Sequence, residues 1–138
     1  MTHTTRLTWT EGMSFSAELN GHSISLDADS DFGGRDRGPR PKGLVLVALA
    51  GCTGMDVVSL LKKMRVSYDD FRIDVSGEQT DQHPKVYTDI HLDYIFSGKE
   101  LDRGKIEKAV TLSQEKYCGA YAMLSKAATM HTKILLNP

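Results

Sequence analysis

The stretch Lys42 to Met64 reads KGLVLVALAGCTGMDVVSLLKKM, and its interpretation decides the fold. Its length and its start just after Pro41 favour a helix over a strand. The first half is apolar on every side, the pattern expected of a helix buried within a core. In the second half Cys52, Asp56, Ser59 and Lys63 recur at helical spacing, so they form one polar stripe on an otherwise apolar rod. Gly51 and Gly54 flank the cysteine, where they would bend the helix or let another backbone approach. The fully apolar run, Leu44 to Ala50, is too short to cross a membrane.

On the N-terminal side the chain reads as a three-stranded meander. Leu7 and Trp9 alternate with polar neighbours, Glu11-Gly12 makes a turn, and Met13, Phe15, Ala17 and Leu19 alternate again. Asn20-Gly21 signals a two-residue hairpin, because both residue types accept positive φ. Ile24 and Leu26 supply the third strand's inward face. Asp31 to Pro41 (DFGGRDRGPRP) has no hydrophobic pattern and reads as a loop. Its arginines, Arg35, Arg37 and Arg40, are either ordinary solvated side chains or a mobile source of positive charge for an anion or thiolate.

On the C-terminal side two long strands follow. Phe71, Ile73 and Val75 alternate with polar residues. After a turn at Gln82-His83-Pro84, Val86, Thr88, Ile90, Leu92, Tyr94 and Phe96 line one face. Asp89, His91 and Asp93 share the other face, which on an alternating strand is the wet side rather than a metal site. A second helix opens at Asp102, a good N-cap, and runs to Glu115-Lys116-Tyr117-Cys118, where Gly119 interrupts it. Ala120 to Ala128 reads as a short third helix, and Thr132 to Leu136 as a last strand. The class is therefore α+β, in the order β-β-β-α-β-β-α-α-β, as a single domain over 1–138.

Composition narrows the function. Seventeen basic residues against eighteen acidic ones give a formal charge of -1, without the basic excess of a nucleic-acid binder. The N-terminus lacks the plan of a signal peptide, which points to the cytoplasm, with neither membrane nor nucleic acid as partner. The five histidines, at 3, 22, 83, 91 and 131, form no metal-ligand spacing, so no metal and no cofactor is expected. Cys52 and Cys118, 66 residues apart, make neither a CxxC motif nor half of a zinc site. In a reducing compartment they are either small buried hydrophobes or reactive thiols whose surroundings stabilise a thiolate.

The element order, with one cysteine inside the long helix (ALAGCTGMDVVSLLKKMR) and another at the break after the second helix (LSQEKYCGAYAMLSKA), resembles the OsmC/Ohr family. The resemblance implies an OsmC-like fold with antiparallel sheets packed around a long central helix, in an intertwined homodimer. It further implies a reductase of small organic hydroperoxides, with Cys52 as the peroxidatic thiol, Cys118 as the resolving thiol and an external dithiol as reductant. The family's peroxidases place an arginine in the turn between the first two strands and a glutamate just after the proline that opens the long helix. This chain reads Glu11-Gly12-Met13 and Lys42-Gly43 there, an acid in the turn and a base on the helix. The candidates to support a thiolate are then Lys42, Arg35, Arg37 and Arg40, with Glu11 or Glu115 as the carboxylate. Tyr117 and Thr53 flank the cysteines, and Lys116 lies near Cys118 in sequence. Two further readings stand beside the peroxidase. One is a non-catalytic dimer that binds an apolar ligand; the other is a thiol redox sensor.

Overall fold

The computed structural model describes all 138 residues, which form two compact units, Met1–Val45 and Leu46–Pro138. In the first, β1 (Arg6–Glu11), β2 (Ser14–Leu19) and β3 (His22–Leu26) make an antiparallel meander. The hairpin turn falls on Asn20 (φ 51°) and Gly21 (φ 79°), the two left-handed positions that a type I′ turn requires. Trp9 pairs with Phe15, Phe15 with Leu26, and Ala17 with Leu7 and Ile24, so the sequence alternation becomes one apolar sheet face. Much of that face is open to solvent: Leu7 is 54% exposed and Trp9 62%.

The loop after β3 is organised around the buried carboxylate of Asp27. It accepts the backbone N–H groups of Ala28 at 2.7 Å and of Arg35 and Arg37 at 3.2 Å each. The arginine loop is therefore folded back on its own start, where the sequence suggested mobility. Backbone packing there is close: a Cβ on Gly34 would stand 2.0 Å from the Ala28 carbonyl oxygen.

The second unit is built on α1 (Leu44–Lys63), whose first turn carries the boundary between the units. Then come β4 (Asp70–Gln79), β5 (Tyr87–Ser97), α2 (Arg103–Leu112), a π turn (Ser113–Tyr117), α3 (Gly119–Leu124) and β6 (Thr129–Leu136). Asp102 caps α2 by accepting the Lys105 backbone N–H at 3.1 Å. Leu49, Val57 and Leu61 of α1 pack with Ile90, Leu92, Tyr94 and Phe96 of β5 and with Ile106, Ala109 and Val110 of α2. Each large aliphatic side chain so buried stabilises by roughly 1.5–3 kcal/mol. The stacked rings of Phe71 and Phe96, with centroids 4.2 Å apart, extend this core toward β4.

Element order agrees with the sequence reading, and three details differ. The second sheet is mixed: β4 and β5 are antiparallel, but β6 lies parallel to β5, because the connection through α2 and α3 returns the chain to the same end, as a crossover does. The second helix does not simply stop at Gly119; it widens into the π turn, and the break falls on Cys118, whose backbone is extended (φ -77°, ψ 103°). Last, α1 is not enclosed on all sides. Leu49, Thr53, Val57 and Leu61 are buried, whereas Val47 is 64% and Met55 78% exposed. One chain supplies covering for one face only. By length (20 residues) and mean hydropathy (2.1) α1 as a whole is long and apolar enough to span a membrane, but its buried line through the core marks it as the central helix of a globular unit.

Candidate active site

Cys52 sits on the half-buried side of α1, and Asp56 lies one turn further on, as the polar stripe required. The π turn then delivers Cys118 to them. An extra residue in one turn of helix rotates the side chains beyond it; here the Cys118 N–H reaches the Ser113 carbonyl at 2.7 Å, and Cys118 becomes the N-cap of α3. Its sulfur accepts the Tyr121 N–H at 3.3 Å. The result is a cluster in which the Cys52 and Cys118 sulfurs and an Asp56 carboxylate oxygen all lie within 4.8 Å of one another. Both thiols are free, Cys118 being buried and Cys52 partly accessible.

Behind the cluster runs a chain of hydrogen bonds whose directions are set by its end. A carboxylate only accepts, so Ser113 Oγ donates to Asp56 at 3.0 Å. With its single hydrogen spent, Ser113 accepts from Thr53 Oγ1 at 2.7 Å. Thr53 in turn accepts from the Tyr94 hydroxyl at 2.8 Å, and Tyr94 accepts from the Gln114 amide at 3.2 Å. The same amide nitrogen reaches Thr132 at 2.9 Å. Thr53, Tyr94 and Ser113 are fully buried, and no buried side-chain nitrogen or oxygen is left unpaired. Such a satisfied network fixes its members rigidly, so Asp56 is held in place beside the thiols.

The electrostatics oppose a standing thiolate on Cys118. Burial pushes its pKa up, the hydrogen bond with Cys52 adds to this, and the charges of Cys52 and Asp56 act in the same direction; the Tyr121 N–H only partly compensates, leaving it at about 11. Burial likewise raises the Tyr94 phenol, which remains a neutral donor in the chain. Cys118 is thus a protonated thiol at neutral pH.

The sequence candidates fall into two groups. Cys52, Cys118 and Thr53 come together. Glu11, Arg35, Arg37 and Arg40 gather instead in the first unit: Glu11 pairs with Arg37 and, at 3.6 Å, with Arg35, and Arg40 pairs with Asp36 at 2.7 Å and Asp29 at 3.4 Å. The exchanged acid at the β1–β2 turn thus finds its bases within its own unit. Lys42 lies exposed in the turn before α1, Glu115 is exposed on the π turn, and the Lys116 ammonium sits 5.2 Å from the exposed Tyr117 ring. Sequence reasoning missed the role of Ser113, Tyr94 and Gln114. Asp56 was visible on the stripe, but nothing in the sequence tied it to Ser113.

The model of the OsmC family, described as "OsmC-like protein", matches residues 33–133. The protein YhfA of Escherichia coli (strain K12) is 37% identical over 126 residues, covering 91% of each chain. Among solved structures, a hypothetical protein from Aquifex aeolicus VF5 is similar with a TM-score of 0.83 at 28% identity, over 100% of this chain and 99% of that one. An organic hydroperoxide resistance protein OsmC from Legionella pneumophila shares the fold, with a TM-score of 0.72 at 14% identity over 98% and 97% of the two chains. Family model, full-length relative and fold agree: the chain belongs to the OsmC-like protein family.

Proposed function

We propose that the chain is a thiol-dependent peroxidase that reduces organic hydroperoxides, working as a cytoplasmic homodimer. The observation that carries this reading is the Cys52–Cys118 sulfur pair within 4.8 Å, one thiol partly accessible and one buried. The hydroperoxide resistance protein of the same fold points to the substrate class. In the first step the Cys52 sulfur attacks the distal oxygen of ROOH, the O–O bond breaks, and Cys52 becomes a sulfenic acid while RO⁻ leaves. Asp56, within 4.8 Å of the Cys52 sulfur, is the base that accepts the thiol proton during attack and returns it to the alkoxide, giving ROH. Cys118 then condenses with the sulfenic acid, releasing water and forming the disulfide. A dithiol reductant restores both thiols by exchange. Forming an S–S bond of ~2.05 Å requires the two sulfurs, which lie within 4.8 Å, to close on each other by side-chain rotation.

The homodimer is supported by the apolar surface that one chain leaves open, on α1 and on the β1–β3 face. Exposed apolar surface of this kind marks an interaction surface.

The test mixes reduced protein with one equivalent of cumene hydroperoxide, or of hydrogen peroxide in parallel, and tracks thiol loss by rapid-quench mass spectrometry. Fast Cys52–Cys118 disulfide formation, with sulfenic acid trapped on Cys52 in the Cys118→Ser variant, is the expected result. Thiol loss no faster than that of free cysteine would overturn it. In that event the second reading, binding of an apolar ligand, gains from a groove of about 590 Å³ lined by Gly54, Met55, Val58, Phe71 and Ile73.

A further inference from the structure

We propose that the reduced Cys52–Cys118 pair, together with Asp56, is a binding site for a thiophilic divalent cation, of which zinc is the best match. Two sulfurs and one carboxylate oxygen within 4.8 Å of one another are the donor set that borderline-soft ions select. With Zn–S near ~2.3 Å, two thiolates on one tetrahedral ion stand roughly 3.8 Å apart, so the ion fits with side-chain adjustments of about 1 Å or less. The donors come from rigid places. Cys52 and Asp56 are one turn apart on the core helix, and Cys118 caps α3 on a backbone fixed by the 2.7 Å bond to Ser113. The carboxylate also has the outer partner that orients a metal ligand: Ser113 donates to one of its oxygens at 3.0 Å, backed by Thr53 and Tyr94. Hydrogen bonding of that kind is half of what makes a metal site.

The charge balance favours the ion. The thiols face each other and an acid, with a backbone N–H as the counteracting influence on Cys118. A dication supplies the positive charge that this cluster lacks. On binding, both thiols lose their protons to solvent as two metal–sulfur bonds form, and no electrons move. Three protein ligands leave one position for water or an incoming thiol, the arrangement of an open zinc site rather than a closed structural one. Oxidation of the pair to a disulfide removes two donors and ejects the ion. Binding therefore belongs to the reduced state alone and does not depend on the chain being a peroxidase.

The test uses the full reduced protein under anaerobic conditions, with no hydroperoxide present. Cobalt(II) is titrated in as the spectroscopic probe. The expected result is one cobalt per chain, with sulfur-to-cobalt charge-transfer absorption and the visible bands of tetrahedral cobalt, both erased by one equivalent of zinc, which binds more tightly. Cys52→Ser and Cys118→Ser should abolish the charge-transfer band, and Asp56→Asn should weaken binding by roughly tenfold or more. In the unaltered protein, zinc should protect both cysteines from alkylation, with chelator restoring reactivity, a readout that holds even if a variant folds poorly. Diamide oxidation should release the metal, and a dithiol should restore binding. Absence of the charge-transfer band, or its persistence in both cysteine variants, would overturn the site; binding unchanged in Asp56→Asn would remove the carboxylate from it.

Discussion

Ser113 donates its hydroxyl hydrogen to the Asp56 carboxylate at 3.0 Å, across 57 positions of sequence. This bond ties the π turn after α2 to the middle of α1, and it sets the polarity of every hydrogen bond behind it. Gln114, Tyr94, Thr53 and Ser113 all point their donors toward Asp56. The two cysteines stand at the end of that chain, one on each of the elements it joins.

Removing a link should cost stability as well as activity. Tyr94→Phe deletes the hydroxyl between Thr53 and Gln114 and leaves a buried acceptor unpaired. The expected loss is about 1–3 kcal/mol, read as a lower denaturant midpoint with unchanged slope. Peroxide-driven thiol loss at Cys52 should slow less in this variant than in Asp56→Asn, because Asp56 is the member of the network that lies within 4.8 Å of the Cys52 sulfur. An equal effect of both would mean that the network acts by rigidity alone.

Cys118 should be slow to alkylate until strongly alkaline pH. Its folded pKa of about 11 arises first from burial and then from its bond with Cys52, so Cys52→Ala, which removes the second influence, should shift its alkylation profile to lower pH. Stability has a definite sign here too. The folded pKa is above the ~8.5 of a free thiol, so the contribution is complete below that value and is lost as pH rises through about 11. Thermal melting of the reduced protein from neutral to alkaline pH, compared with Cys118→Ala, checks this.

How far the sequence discloses the site is clear from its parts. The length of the run Leu44 to Lys63 and its start after Pro41 favoured a long helix, and its stripe already placed Asp56 one turn from Cys52, though only one face of that helix is buried. Asn20-Gly21 and the Asp102 cap were equally direct, since local backbone chemistry dictates each. The π turn was not legible: Ser113 falls at helical spacing with Ile106, Ala109 and Val110 and is buried with them, but one extra residue resets the helical phase beyond it, so a 3.6-residue period does not foretell where Cys118 arrives. Nor was the parallel pairing of β6, which depends on where two intervening helices deliver the chain. The exchange of acid and base at Glu11 and Lys42 was visible, but the pairing of Glu11 with Arg35 and Arg37 rests on Asp27, whose role as the loop's buried anchor is a matter of three-dimensional backbone geometry.

Asp27 gives an acid-side prediction. Burial alone would raise its pKa, but hydrogen bonds from Ser14 and from the backbone N–H groups of Ala28, Arg37 and Arg35 outweigh that and bring it to about 2 from an ordinary 3.8. A depressed carboxyl contributes stability that is present above its unfolded pKa and lost as pH falls through its folded one. Melting curves should therefore drop between pH ~4 and ~2, and Asp27→Asn should be less stable at neutral pH with a flatter acid limb. A limb of unchanged shape in the variant would show that other carboxyls carry the acid sensitivity.

The exposed side of α1 separates core packing from assembly. Leu49 and Leu61 are fully buried within the chain, so Leu→Ala there should cost about 2–5 kcal/mol in any oligomeric state. Val47 and Met55, at 64% and 78% exposure, touch little within the chain, and a lone domain would tolerate polar residues at both. If the homodimer buries this face, Val47→Asp and Met55→Asp place unpaired charges in an apolar interface, where desolvation outweighs any gain. Sedimentation should then show monomers for the double variant and dimers for the unaltered chain at the same concentration, with far-ultraviolet circular dichroism confirming that the variant still folds. A double variant that remains dimeric would remove this face of α1 from the interface and leave the open face of the β1–β3 sheet to account for assembly.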